Sequence, residues 1–323
     1  MNTFTAFRAW PDERLLAVVR PESTQLKLPD FIARFRSELD KLLLERGAIL
    51  FRDFGIDDVD KFDFLVASFG EIKGEYRYGS TPRTQISNGI FTASEYPPSE
   101  EIALHSENSY QREWPLKLIF CCVTPATSGG ETPIGDLRRI TTLIDKAVLE
   151  EFTQRGVRYV RNYSPYLDVS WQNSFRTKDR FAVDRLCSNM GIQTRWRDDG
   201  TLQTIQECQG ATFHPDLGET VFFNQAHLFH PSALSPDLRE ALIEVCGGID
   251  YLPRNAFYGD GGAIEEETLH HVRQAFRCAE RSFQWRTGDV LLLDNMQVAH
   301  GRKPYSGQRV HLAALLSPFS APW

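Results

Sequence analysis

In Leu104-His105-Ser106-Glu107-Asn108-Ser109-Tyr110 an imidazole and a carboxylate stand one residue apart. On an extended strand, side chains alternate with period two, so His105 and Glu107 would project from the same face. Together they offer two ligands to a divalent ion. A second histidine from a distant segment would complete the facial triad that holds non-haem Fe(II) and leaves coordination positions open. His300, almost two hundred positions further on, is the candidate third ligand. The pair by itself also has a plainer reading, a polar strand edge or a hydrogen-bonded histidine.

The other polar side chains carry less by themselves. His227 and His230 are spaced i, i+3, but the setting of Leu228-Phe229 and Pro231 is apolar and no carboxylate is near, so they do not read as a metal pair. His214, His270, His271 and His311 lack a partner pattern and read as surface or packing residues. Taken alone, Arg309 is a surface charge and Thr132 a strand hydroxyl.

The elements that must position these groups are mixed. Pro29 to Glu45 shows apolar residues at helical spacing, with Pro29 at the start and Gly47 at the stop. A short buried strand, Ala48 to Arg52, and a second helix, Asp57 to Phe69, follow. Gly74 to Pro98, rich in Gly, Ser, Thr and Tyr, reads as strands and loops. Leu116 to Val123 is the most strand-like run in the chain, and Asp136 is placed to cap a helix running towards Phe152. Residues from about 160 to 217 read as a long, loop-rich, lid-like insert. Within it lie a helix over Asp179 to Met190 and a hairpin turning at Asp198-Asp199-Gly200. Strand Glu219 to Phe223, helices Pro236 to Cys246 and Ile264 to Cys278, and strands Val290 to Leu293 and Val310 to Leu316 complete the reading.

There is no internal repeat and no Pro/Ser-rich linker, so the 323 residues read as a single domain over 1–323. The formal net charge of -7 disfavours nucleic acid as a partner. No apolar run approaches the roughly 20 residues that cross a bilayer, and the first ten residues lack the order of a signal peptide, which makes the expected location cytoplasmic. The six cysteines are scattered without C-x-x-C spacing and read as reduced, packed thiols.

Six segments resemble one family. They are Thr92-Ala93-Ser94-Glu95-Tyr96-Pro97, His105 to Tyr110, Gly129-Gly130-Glu131-Thr132-Pro133-Ile134, Phe222 to His230, Tyr258-Gly259-Asp260-Gly261, and Gly288-Asp289 through His300-Gly301-Arg302. Their order is similar to that of the taurine dioxygenase (TauD/TfdA)/clavaminate synthase-like oxygenases that depend on Fe(II) and 2-oxoglutarate. The branch that includes the syringomycin aspartyl hydroxylase is the nearest. The likeness covers about residues 45 to 316.

The resemblance implies that His105, Glu107 and His300 ligate iron, leaving two positions for a chelating 2-oxo acid and one for O2. It further implies that Arg309, assisted by Thr132, holds the distal carboxylate of 2-oxoglutarate, for which a guanidinium fork is suited. Ser94, Glu95, Asn108 and Arg302 flank this site, where they either meet substrate or make structural hydrogen bonds. The implied fold is mixed α+β, a double-stranded β-helix or distorted jelly roll with flanking helices.

The implied reaction is hydroxylation of an unactivated C–H bond in an amino acid or amino-acid-derived substrate, free or tethered to a peptidyl carrier protein, within secondary metabolism. Desaturation, epoxidation and cyclisation use the same cofactors and stay open. The carboxylate at 107 disfavours halogenation, because related halogenases replace it with a small residue that admits chloride. Ser106 stands where close relatives often have Asn, a change beside the ligands and not among them. Two other classes compete: a non-catalytic jelly-roll binding protein and a zinc hydrolase.

Overall fold

Apolar side chains on both faces of Leu116–Val123 demand burial from two sides, and the strand Trp114–Thr124 accordingly lies inside the larger of two facing sheets. The computed structural model describes residues 4–10, 14–22, 26–70, 78, 84–87, 89–93, 96–164 and 167–320. The large sheet has eight strands in the order Ala6–Arg8, Ala17–Val19, Ala48–Phe51, Val290–Asp294, Trp114–Thr124, Val310–Phe319, Ile90–Thr92, Gln85–Ser87. The small sheet orders Glu280–Phe283, Thr132–Asp136, Val298–Arg302 and Ile102–His105.

Leu118, Phe120, Leu291, Leu293 and Leu315 from the large sheet meet Ile134 and Val298 from the small one, forming the core between them. Each such side chain contributes about 1.5–3 kcal/mol on burial. The opposite face of the large sheet is covered by the helices Leu28–Arg34, Arg36–Arg46 and Val59–Ser68, whose Phe31, Leu39, Leu43, Phe62 and Leu65 pack on Ile49, Phe51, Ile119 and Leu292. Two apposed, mostly antiparallel sheets with helices outside are the expected distorted jelly roll. The turn before Val290 is fixed by Asp289, buried and gripped by both Nε and Nη2 of Arg52 at 2.9 and 2.7 Å.

Three elements depart from the sequence reading. The helix expected over Pro29 to Glu45 is two, because Phe35 leaves the helical region (φ -114°, ψ 25°) and its buried ring sits 4.8 Å from that of Phe31. The helix expected from Asp136 to Phe152 is likewise two, Leu137–Leu143 and Lys146–Arg155, since Ile144 is extended and the Asp145 N–H donates 2.9 Å to His271 Nε2. The hairpin expected within the insert extends into a four-stranded sheet that also takes in a strand from outside it, ordered Ile192–Trp196, Leu202–Cys208, Val157–Tyr163, Arg254–Tyr258.

The hairpin turning at Gly200 is where the sequence placed it, pairing Trp196 with Leu202. Its neighbour Val157–Tyr163 has the other partner strand some ninety residues later, outside any local signal. The thiols are free; Cys121, Cys122, Cys187 and Cys208 are buried and Cys246 partly so, but Cys278 is exposed and not packed as expected.

Candidate metal centre

His105 ends one strand of the small sheet and His300 stands in the middle of the next, directly opposite it in the antiparallel register. Residues so opposed have Cβ atoms about 4.5–5.5 Å apart, and here the two rings lie 4.6 Å apart, centroid to centroid. His300 is an integral residue of its strand. Just beyond it the register shifts, and a Cβ at Gly301 would come within 2.4 Å of the Ile102 carbonyl oxygen. Glycine at 301 therefore permits the close approach that brings the two histidines together.

Glu107 is held differently. The strand Ile102–His105 ends before it, so period-two alternation is not what turns its side chain towards His105. Residues 107–110 form a turn, with Asn108 at φ 58°, and the turn is tied to the other sheet by Asn295. Asn295 Oδ1 accepts from the Glu107 N–H at 2.7 Å, while its Nδ2 donates to the carbonyls of Glu107 and Pro115 at 2.9 Å each. Asn295 occupies the crossing from large to small sheet. Next to it, Asp294 accepts from His214 Nε2 at 2.9 Å, from Gln297 Nε2 at 2.8 Å and from the Met296 N–H at 2.9 Å.

His105, Glu107 and His300 each present one ligand atom within 4.8 Å of the others, with His300 Nε2 3.7 Å from Glu107 Oε2. Among the described residues no other group of three His, Cys, Asp or Glu is so arranged. His105 Nδ1 lies 2.9 Å from the Ala103 carbonyl, which can only accept, so Nδ1 carries the hydrogen and Nε2 keeps its lone pair for a metal. Two imidazoles and one carboxylate on one side suit a divalent iron with open positions.

Ala93, Ile102, Phe120, Thr132, Arg302, Arg309 and His311 line the same small cavity as His105 and His300. Arg309, just before Val310–Phe319, has its Nε 3.3 Å from the Gly130 carbonyl and no carboxylate partner among the described residues. Burial, reinforced by the charge of Arg302, pulls it down to about 10. It thus remains a cation at neutral pH, in a place where a carboxylate ligand would be welcome. Gly130 (φ 74°) makes room for it, since a Cβ there would stand 3.3 Å from Arg309 Cδ. Thr132 Oγ1 accepts from the Trp285 indole at 3.0 Å, which leaves the hydroxyl hydrogen to donate into the cavity. Burial also pushes His311 well below the ordinary histidine range, the Arg309 charge adding to the effect.

The remaining candidates are engaged otherwise, Arg302 from within the cavity lining. Arg302 donates to the carbonyls of Tyr96, Pro97 and Glu100 at 2.8, 2.6 and 2.6 Å, tying down residues 96–100. Asn108 lines a different chamber, and Ser94 and Glu95 lie outside the described residues. His227 stacks on Phe276 at 4.3 Å, with burial drawing its pKa down to about 3; His230 Nδ1 bonds Ser232. Asn295 and Trp285 are not among the residues that the sequence singles out.

Residues 12–316 match the family described as Taurine catabolism dioxygenase TauD, TfdA family. The chain is 39% identical over 303 residues to the dapdiamide synthesis protein DdaC of Enterobacter agglomerans, covering 94% of this chain and 91% of that one. It is 31% identical over 319 residues to a clavaminate synthase-like protein of Arabidopsis thaliana, covering 93% and 92%. In fold it is similar to PvcB from Pseudomonas aeruginosa (TM-score 0.53, 16% identity, 94% and 86% covered), an Fe, alpha-ketoglutarate dependent oxygenase from an isonitrile synthetic pathway. No helix among the described residues is long and apolar enough to cross a membrane. The chain belongs to the TauD/TfdA family and is, with that family, an iron- and 2-oxoglutarate-dependent dioxygenase.

Proposed function

We propose that this dioxygenase hydroxylates an unactivated C–H bond of an amino acid or amino-acid-derived small molecule during the making of a specialised metabolite. His105, Glu107 and His300 are its iron ligands, Arg309 receives the distal carboxylate of 2-oxoglutarate through parallel hydrogen bonds, and Thr132 donates to the same carboxylate. Iron and 2-oxoglutarate, when bound, supply the activation of O2 that attack on such a bond requires, with succinate and carbon dioxide as co-products.

The chain's own work is placement. Ala103 fixes the His105 ring, Asn295 fixes the Glu107 backbone, and Trp285 fixes the Thr132 hydroxyl. Groups held in this way lose little freedom when the reactants arrive, and well-oriented reactants react faster. The observation that carries the reading is the meeting, in one cavity, of two ligand histidines with a buried guanidinium that has no carboxylate partner among the described residues. The dapdiamide synthesis relative supports the biosynthetic setting.

The test is a screen of succinate release, with iron and 2-oxoglutarate present, against free amino acids and against aminoacyl carrier proteins. Release coupled one-to-one to a product 16 mass units heavier identifies the substrate and its form. A coupled product of mass minus 2 would replace hydroxylation by desaturation or cyclisation, and one of mass plus 16 that has lost a carbon–carbon double bond would replace it by epoxidation, on the same cofactors. Activity that needs only water and a metal would contradict the reading.

A further inference from the structure

The segment Phe222 to His230 contributes no ligand to the metal site, yet two of its side chains reach the backbone that carries His105 and Glu107. Gln225 Nε2 donates to the Ser106 carbonyl at 2.7 Å, and His227 Nε2 lies 3.3 Å from the Leu104 carbonyl. A carbonyl only accepts, so both nitrogens are the donors. The strand Ile102–His105 is the last of the small sheet among the described residues, and an edge strand leaves carbonyls that need donors from elsewhere. Edge capping accounts for the His227 contact. The Ser106 carbonyl lies beyond the strand and is already reached by Ser109 Oγ at 3.0 Å, so the bond from Gln225, 119 residues away, is not needed to satisfy it.

What that bond does follows from the peptide unit it joins. The Ser106 carbonyl and the Glu107 N–H belong to one planar, trans group and point in opposite directions. Gln225 holds the carbonyl end, and Asn295 Oδ1 holds the N–H end at 2.7 Å. A plane gripped at both ends cannot swing, which fixes ψ of Ser106 and φ of Glu107 and with them the direction in which the Glu107 side chain leaves the backbone. Gln225 is itself anchored. Its N–H donates to the hydroxyl of Tyr159, in the strand Val157–Tyr163, at 2.7 Å, and its neighbour Asn224 donates to the Gly210 carbonyl at 2.6 Å. Ser106, Glu107, Gln225 and Asn295 are all buried, where the low local dielectric strengthens such bonds.

We propose that Gln225 is a positioning residue for the metal centre: together with Asn295 it locks the Ser106–Glu107 peptide plane and so aims the Glu107 carboxylate at the ion. This role rests on the reading of Glu107 as an iron ligand.

The test is an anaerobic titration of Fe(II), with 2-oxoglutarate present, into the full-length protein and its variants, read from the charge-transfer band, with denaturant unfolding of the metal-free proteins alongside. Gln225→Met keeps the length of the side chain and loses the donor. It is expected to weaken Fe(II) by about 10–100-fold, the cost of removing a group that orients a ligand. Adding Asn295→Ala to it is expected to weaken Fe(II) no further than Asn295→Ala alone does, because a plane released at one end is already free. Gln209→Met, which removes a bond of 2.8 Å to the Ser109 carbonyl beyond the ligands, is expected to lower stability and leave Fe(II) affinity unchanged. Should Gln225→Met not fold, Gln225→Asn, which draws the donor back by one methylene, carries the same test. Wild-type Fe(II) affinity in a folded Gln225 variant, losses that multiply in the double variant, or equal weakening by Gln209→Met overturns the role. A wild-type protein without the band removes the ligand reading and this role with it, whereas a wild-type band matched by Gln225→Met removes the role alone.

Discussion

The metal cavity and the larger chamber lined by Asn108 lie on either side of one turn and differ in the chemistry of what lines them. Around the metal cavity the ligand and anchor groups are positioned by hydrogen-bond partners: His105 by Ala103 of its own strand, Glu107 by Asn295 and Thr132 by Trp285 from segments outside the strands. The chamber is lined by Arg112 and Glu113 together with neutral side chains, of which Asn108, Gln111, Trp114 and Gln206 each keep one fully buried polar atom without a hydrogen-bond partner. A cavity for chemistry needs ligands that are fixed before the reactants arrive.

Breaking the metal side should have the largest effect. Glu107→Ala or His300→Ala removes one of three ligands, and turnover of 2-oxoglutarate is expected to fall below detection in a protein that still folds, measured as succinate formed. Retention of activity in either variant would show that the metal lies elsewhere. Arg309→Leu should leave iron binding intact and weaken 2-oxoglutarate by about 2–5 kcal/mol, the penalty for truncating one partner of a buried charge pair. Titration of 2-oxoglutarate into the iron-loaded variant measures it, and an unchanged affinity would place the anchor on another cation.

Asn295→Ala tests the support behind Glu107, and a loss of about 10–100-fold in iron affinity is expected. The smallest effect compares two buried indoles across the two cavities. The N–H of Trp285 is bonded and that of Trp114 is not. Trp285→Phe should therefore cost about 0.5–1.5 kcal/mol of stability beyond what Trp114→Phe costs, the net value of one hydrogen bond. Denaturant unfolding of both variants reads the difference. Equal losses would mean that the Trp114 N–H is also satisfied in the ligand-free protein.

How much of this was legible in the sequence depended on how local each signal was. The strand Trp114–Thr124 and the hairpin at Gly200 carry their own patterns, a nearly unbroken apolar run in one case and Asp-Asp-Gly in the other, and both were read from them. The two helix breaks were not legible, because Phe35 and Ile144 are displaced from the helical region by tertiary contacts that no helical spacing reports. The same holds for the insert sheet, whose strand Val157–Tyr163 pairs with Arg254–Tyr258.

His105, Glu107 and His300 were singled out from residue types and from the resemblance, and the structure brings the three together. The alternation argument behind the first two does not describe how Glu107 is held. That is the work of Asn295, 188 residues away, whose role is visible only once the sheets are assembled. The unpaired atoms of Asn108, Gln111, Trp114 and Gln206 leave no mark in the sequence at all, since an orphaned hydrogen bond is a property of packing.

The most direct measurement is an anaerobic titration of Fe(II) and 2-oxoglutarate into the purified protein and into His300→Ala, followed by visible absorption. One equivalent of each is expected to raise a charge-transfer band in the wild-type protein, and His300→Ala is expected to show none. A folded wild-type protein that stays colourless, or a His300→Ala variant that titrates like it, would contradict an iron centre built from these three side chains.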